Sequence, residues 1–194
     1  MGNNNFIADV VSTCVANSIA FKMFPKKSHQ GCGGWFLDTE LIVCTNTPDW
    51  LQSLVHEASH LDQFLEKDSV WHHPHLATNH WDIVEHVLHP KKWKWAWKKT
   101  CELEIDCDSR AVDKINKYRL TDINISEYIR EANCYHASYY YFNKYKCFSH
   151  KDHNPFDIPE IIELFPDDRI LSIDEAWKEN KLLGEFIKKY NKPL

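Results

Sequence analysis

The stretch TPDWLQSLVHEASHLDQFLEK, residues 47 to 67, decides how the rest of the chain is read. Its apolar residues Leu51, Leu54, Val55, Ala58, Leu61 and Leu65 recur at helical spacing and form one stripe. Thr47 is placed to cap such a helix, Pro48 suits its first turn, and Asp49 favours its positive end. Side chains four apart stack on one helix face, so His56 and His60 project together, off the apolar stripe. Two neutral imidazoles at that spacing can hold one zinc ion, and Glu57 beside them can take a proton from a water on the metal. Twelve histidines in 194 residues keep accident in play: chance produces an HExxH about once in twenty such chains. A solvated pair of histidines is the plain alternative.

A catalytic zinc takes three protein ligands and keeps one position open. The segment CELEIDCDSRAVDKI, residues 101 to 115, offers the third. Its apolar positions Cys101, Ile105, Val112 and Ile115 define a helical stripe. Around the same wheel Glu102, Asp106 and Asp113 face away from the stripe, whereas Glu104 and Asp108 fall inside it. A carboxylate on a buried face is costly unless it is paired or binds metal. Glu104 is therefore the expected third ligand. Asp108, one turn on, is expected to accept the ring N–H of a ligand histidine and so fix its tautomer. The alternative is a buried acid paired with Lys or Arg.

HExxH at His56, Glu57 and His60, followed by ExxxDxxA at Glu104, Asp108 and Ala111, resembles the gluzincin type of zinc metallopeptidase. That second motif often reads Glu-x-x-Ala-Asp, and here Cys107 takes the small-residue position. HEASHLDQ with ELEIDCDSRAV is similar to small metallopeptidases encoded by phages and bacteria, over roughly residues 31 to 118. The spacing of 44 residues from His60 to Glu104 includes a loop that aligns with no family. The resemblance implies a minimal zincin-like α+β domain, mostly helical, with a small sheet preceding the HExxH helix. It implies Zn2+ as cofactor, a peptide or protein substrate, and an edge strand within 35 to 44 that holds an extended peptide. It also makes a virus-encoded protein acting inside a host cell one expectation.

The remaining chain reads as mainly helical. Residues 6 to 23 read as a helix, 31 to 46 as one or two strands, and 80 to 88 as a short helix after a loop. Long helices are expected from about 91 to 120 and from Ser126 onward, then turns at Pro155, Pro159 and Pro166 and a helix near 173 to 190. A single domain spanning 1–194 is expected, with its core at about 31–148 and a helical extension at 149–194. On the helix from Ser126, His136 and Tyr140 stand one turn apart as candidates to stabilise an oxyanion; burial with satisfied neighbours is the competing explanation.

Composition narrows the classes. A net charge of -5 gives no electrostatic case for nucleic acid, and the bases and tryptophans of KKWKWAWKK are read as packing. No apolar run approaches the roughly 18 residues of a membrane span. Seven cysteines, an odd number without a CxxC pair, fit a reduced cytoplasmic or other intracellular setting. His72, His73 and His75 are read as a polar loop, and His86 and His89 do not complete a metal motif. The expected function is zinc-dependent peptide hydrolysis. The alternatives are a zinc hydrolase of a non-peptide amide, and a non-catalytic interaction protein with zinc for structure. A fourth protein ligand would mark the last.

Overall fold

The computed structural model describes residues 2–29, 33–67, 71, 90–145, 158–179 and 183–184, with backbone alone at 90–94, 96 and 140–145. The class is α+β: six helices and one three-stranded sheet among the described residues. In chain order these are α1 (Gly2–Ala16), β1 (Ala20–Phe24), β2 (Gly34–Leu37), β3 (Glu40–Cys44), α2 (Trp50–Leu65), α3 (Pro90–Tyr118), α4 (Ile125–Tyr145), α5 (Pro159–Ile162) and α6 (Ile173–Lys178). The chain divides into two compact units. One comprises Met1–His72 with Cys107–Ile125, the other His73–Asp106 with Ser126–Leu194.

In the first unit the sheet order is β1-β3-β2. β2 and β3 form an antiparallel hairpin with Gly34 opposite Val43 and Leu37 opposite Glu40. β1 runs parallel to β3, from Ala20 beside Glu40 to Phe24 beside Cys44. The central position of β3 explains its unbroken apolar run: Leu41, Ile42, Val43 and Cys44 are all buried, so both faces of the strand are covered. α2 packs on β2 and β3, and α1 packs on β1.

Three expectations need correction here. The helix read over 6–23 ends at Ala16, and residues 20–24 are β1. Ser18 ends α1 in the left-handed region, φ 58°, which frees the residues after it, Phe21 and Phe24 among them, to pair as a strand. α2 starts at Trp50, with Asp49 rather than Thr47 at its cap and no side-chain capping bond. The segment 35 to 44 is a hairpin, and only its β2 arm lies at a sheet edge.

The second unit holds the N-terminal part of α3, then α4, α5 and α6. Cys134, Ala137, Ile158, Ile161, Phe165 and Leu183 form a core there. Pro159 opens α5 at a position where no backbone donor is needed. Asn133 ties this unit together: its amide donates to Pro166 O and Arg169 O, both at 3.0 Å, and its oxygen accepts from Leu171 N at 2.8 Å. The helix expected near 173 to 190 ends early, as α6 over Ile173–Lys178 with a turn at Glu179, and the helix expected at 80–88 lies outside the described residues. No helix among the described residues is long and apolar enough to cross a membrane.

Candidate metal centre

α2 carries its histidines against the second half of α3. From Cys107 to Tyr118, α3 is linked to α2 by bonds from Asp108 to His56, from Lys114 to Asp62 and from Arg110 to Glu66, the last at 2.8 Å. The Cys107 thiol donates to the carbonyl of His56 at 3.2 Å. This second cover corrects the expectation that the histidine side of α2 lies apart from the core. His60, Ser59 and Gln63 are as buried as the apolar stripe, and His56 is half-buried.

The two imidazoles face each other through Nε2, 3.1 Å apart, with ring planes at 88°. Behind each ring stands an acceptor. His56 Nδ1 lies 2.8 Å from Asp108 Oδ1, and His60 Nδ1 lies 2.9 Å from Gln63 Oε1. A carboxylate and an amide oxygen can only accept, so both Nδ1 atoms carry hydrogen. In neutral rings both Nε2 atoms are then lone pairs, and two lone pairs at this separation repel unless a proton or a metal ion lies between them. Two nitrogens on a tetrahedral zinc would stand about 3.3 Å apart, from Zn–N bonds of about 2.05 Å. The spacing and the acceptors behind each ring both fit a metal. In the metal-free protein the shared site favours a proton. Burial opposes an imidazolium at His56, but Cys107 and Asp108 outweigh it and raise the ring's pKa well above its ordinary value.

Ligand atoms of His56, His60 and Cys107 all lie within 4.8 Å of one another. The thiol, however, is 3.7 Å from His56 Nδ1 and bonded to the His56 carbonyl. It stands on the Asp108 side of the ring, behind the imidazole, while the paired nitrogens open the other way. We therefore read Cys107 as packing and polarising His56.

Glu57 is half-buried at the sheet edge. A Cβ built on Gly34 of β2 would lie 3.2 Å from Glu57 Cγ, so the missing side chain at Gly34 makes room for this carboxylate. Phe36, two residues on and on the same strand face, stacks edge-on with Phe64 and Trp71 at 5.5 and 5.4 Å, and Trp71 meets His60 at 5.4 Å.

Glu104 is 5% exposed and Asp108 3%, whereas Glu102 and Asp106 are half-buried and Asp113 is exposed, the division the helical wheel requires. Glu104 belongs to the second unit, near Cys101 and Tyr139. Burial first, then the charge of Glu104, pushes both of those groups well above their ordinary pKa. His136 is buried in that unit on α4, and the side chain of Tyr140 lies outside the described residues. A half-step around α4, Tyr139 donates to Tyr135 at 3.0 Å. These two tyrosines, and Gln63 behind His60, were not singled out by the sequence. A Gln three residues after the second histidine was the one available signal. His72, His73, His75, His86 and His89 lie outside the described residues. The cysteines described, Cys14, Cys44, Cys101, Cys107 and Cys134, are all buried.

Comparison with protein-family models, with curated proteins and with solved structures returned no match.

Proposed function

We propose that the chain is a zinc-dependent metallopeptidase in which His56 and His60 hold the ion through Nε2. The observation that carries this reading is the pair of Nε2 atoms 3.1 Å apart, each ring held from behind by an acceptor. Pairs of this kind fix imidazole tautomer and orientation at metal sites. We assign the third ligand to Glu104, the buried carboxylate one helical turn before Asp108 on α3. Zinc bound there would supply a Lewis acid and lower the pKa of water to about 7. Glu57 takes the proton of the attacking water and returns it to the leaving amine. Its place over Gly34 sets it beside β2, whose outer edge has no strand partner among the described residues. An extended peptide added to that edge would run past Glu57, which favours peptide over other amides. Of His136 and Tyr140, the sequence candidates for the oxyanion, His136 is buried on α4 and Tyr140 follows it by one turn.

One observation favours a different reading, a closed zinc site serving structure alone: the Cys107 thiol lies within reach of the histidines. The two separate on substitution. Metal analysis of chelator-free protein should find about one zinc per chain. Glu57→Gln should keep that zinc and lose cleavage of a peptide library. Glu104→Ala should weaken zinc binding far more than Glu102→Ala, and Cys107→Ser should leave it nearly unchanged. Chelator-free protein devoid of zinc would sink the metal reading. Full cleavage by Glu57→Gln would remove Glu57 as the base, and zinc lost with Cys107→Ser would favour the closed site.

A further inference from the structure

The bond behind His60 is itself held in place. Gln63 is fully buried, and its Oε1 lies 2.9 Å from His60 Nδ1 and 3.3 Å from Trp71 Nε1. An indole nitrogen can only donate, so the amide atom facing Trp71 is oxygen. A flipped amide would set its NH2 group against the indole N–H. The same oxygen faces His60, whose Nδ1 must then carry the proton, leaving Nε2 as a lone pair directed at His56. Trp71 is fixed in turn by Phe36 and Phe64, with ring centroids 5.4 and 6.4 Å away, and meets His60 edge-on.

We propose that Trp71 and Gln63 are positioning residues that together fix the tautomer of His60: the indole sets the amide, and the amide sets the imidazole. For its consequence, though not for its geometry, this rests on the metal reading above. A free neutral imidazole prefers its proton on Nε2, the atom this site needs bare. His56 meets that need with the carboxylate of Asp108. His60 meets it with a neutral amide, so the ring is oriented without a second negative charge behind it. The two rings are thereby unequal, one backed by an anion and the other by a dipole.

The test uses the full chain and two readouts. Histidine ring 15N shifts, measured on chelator-treated protein, report the tautomer of His60. Competition with a chromophoric chelator reports zinc affinity. Wild type should show Nδ1–H at His60. Gln63→Leu should release the ring toward Nε2–H and weaken zinc by about 10–100-fold. Gln63→Glu keeps an acceptor and should keep the wild-type tautomer, which a purely structural role for the amide would not require. Trp71→Phe preserves the ring packing but removes the donor. It should loosen the tautomer in part and add nothing in the Gln63→Leu background. If Gln63→Leu does not fold, Gln63→Met, closer in shape, carries the same expectation. An unchanged His60 tautomer in either apolar variant overturns the proposal, and independent, additive effects of the two sites overturn the relay. The expected tautomers with no zinc uptake by wild type would uphold the positioning and overturn the metal reading alone.

Discussion

At the scale of single residues, the candidate centre depends on a few close contacts. Gly34 is one. A Cβ there would lie 3.1 Å from the carbonyl of Ile42 and 3.2 Å from Glu57 Cγ. The carbonyl belongs to the paired strand β3 and cannot yield, so Glu57 must. Gly34→Ala should cost about 1–3 kcal/mol of stability, as overpacking does, measurable by urea denaturation. If the proposed function holds, cleavage should fall with zinc content unchanged, by less than the roughly 100-fold of a 1 Å misplacement, since Glu57 must give only a few tenths of an ångström. Unaltered cleavage would detach Glu57 from the chemistry. Of this centre, His56, His60, Glu57 and the inward acids were legible, because helical periodicity alone assigns faces. Gln63 and Cys107 were not. Asp108 was expected behind a ligand histidine from its place on the wheel, but which ring it backs, and which side chain backs the other, depends on rotamers and on the neighbouring helix.

At the scale of elements, α1, α2 and α3 end alike. Ser18, Lys67 and Arg119 follow them in the left-handed region, at φ 58°, 60° and 52°. Ile19 N bonds back to Cys14 O at 2.9 Å and Leu120 N to Ile115 O at 3.0 Å, the closure that satisfies the last carbonyls of α1 and α3. None of the three residues is glycine, which is why the end of α1 was misplaced on sequence. Arg119→Gly should stabilise the fold by about 1 kcal/mol, read as a rise in the denaturation midpoint, since the left-handed cost for an L-residue disappears. Asn133→Ala acts in the opposite direction. It strips partners from three backbone groups, and at about 1–3 kcal/mol for a group left buried and unsatisfied the loss should reach several kcal/mol. A change below about 0.5 kcal/mol would mean water replaces the amide. α6 carries a pH signature. Arg169, with the Ser172 cap, lowers the Glu175 carboxyl to about 2. A depressed folded-state pKa stabilises above the unfolded value and loses that stabilisation as pH falls. Protection of the α6 amides, relative to the intrinsic exchange rate at each pH, should therefore fall between about pH 4.5 and 2, and Glu175→Gln should flatten the profile.

At the scale of the whole molecule, each of the two compact units is assembled from two separate stretches of chain, and α3 contributes to both. The expected division into a core at 31–148 and an extension at 149–194 follows the sequence in order, whereas the units alternate along it. α1 joins the sheet's unit, and the segment after 158 packs in the unit of α4. If the histidine pair binds zinc only in the folded state, zinc at 100 times its dissociation constant should add about 2.7 kcal/mol of stability. The melting temperature should rise with zinc in wild type and stay level in a His56→Ala, His60→Ala double variant. An equal rise in both would place the ion elsewhere. The sequence by itself determined the α+β class, the helix bearing two histidines on one face, and the pair of acids turned inward, because binary pattern and helical period are local properties of a chain. Only the tertiary structure decided that Gly34 lies under Glu57, that Asp108, expected behind a ligand histidine, backs His56 while Gln63 backs His60, and that the paired nitrogens face each other. Those relations join residues up to 52 positions apart, and packing, not spacing, brings them within a hydrogen bond.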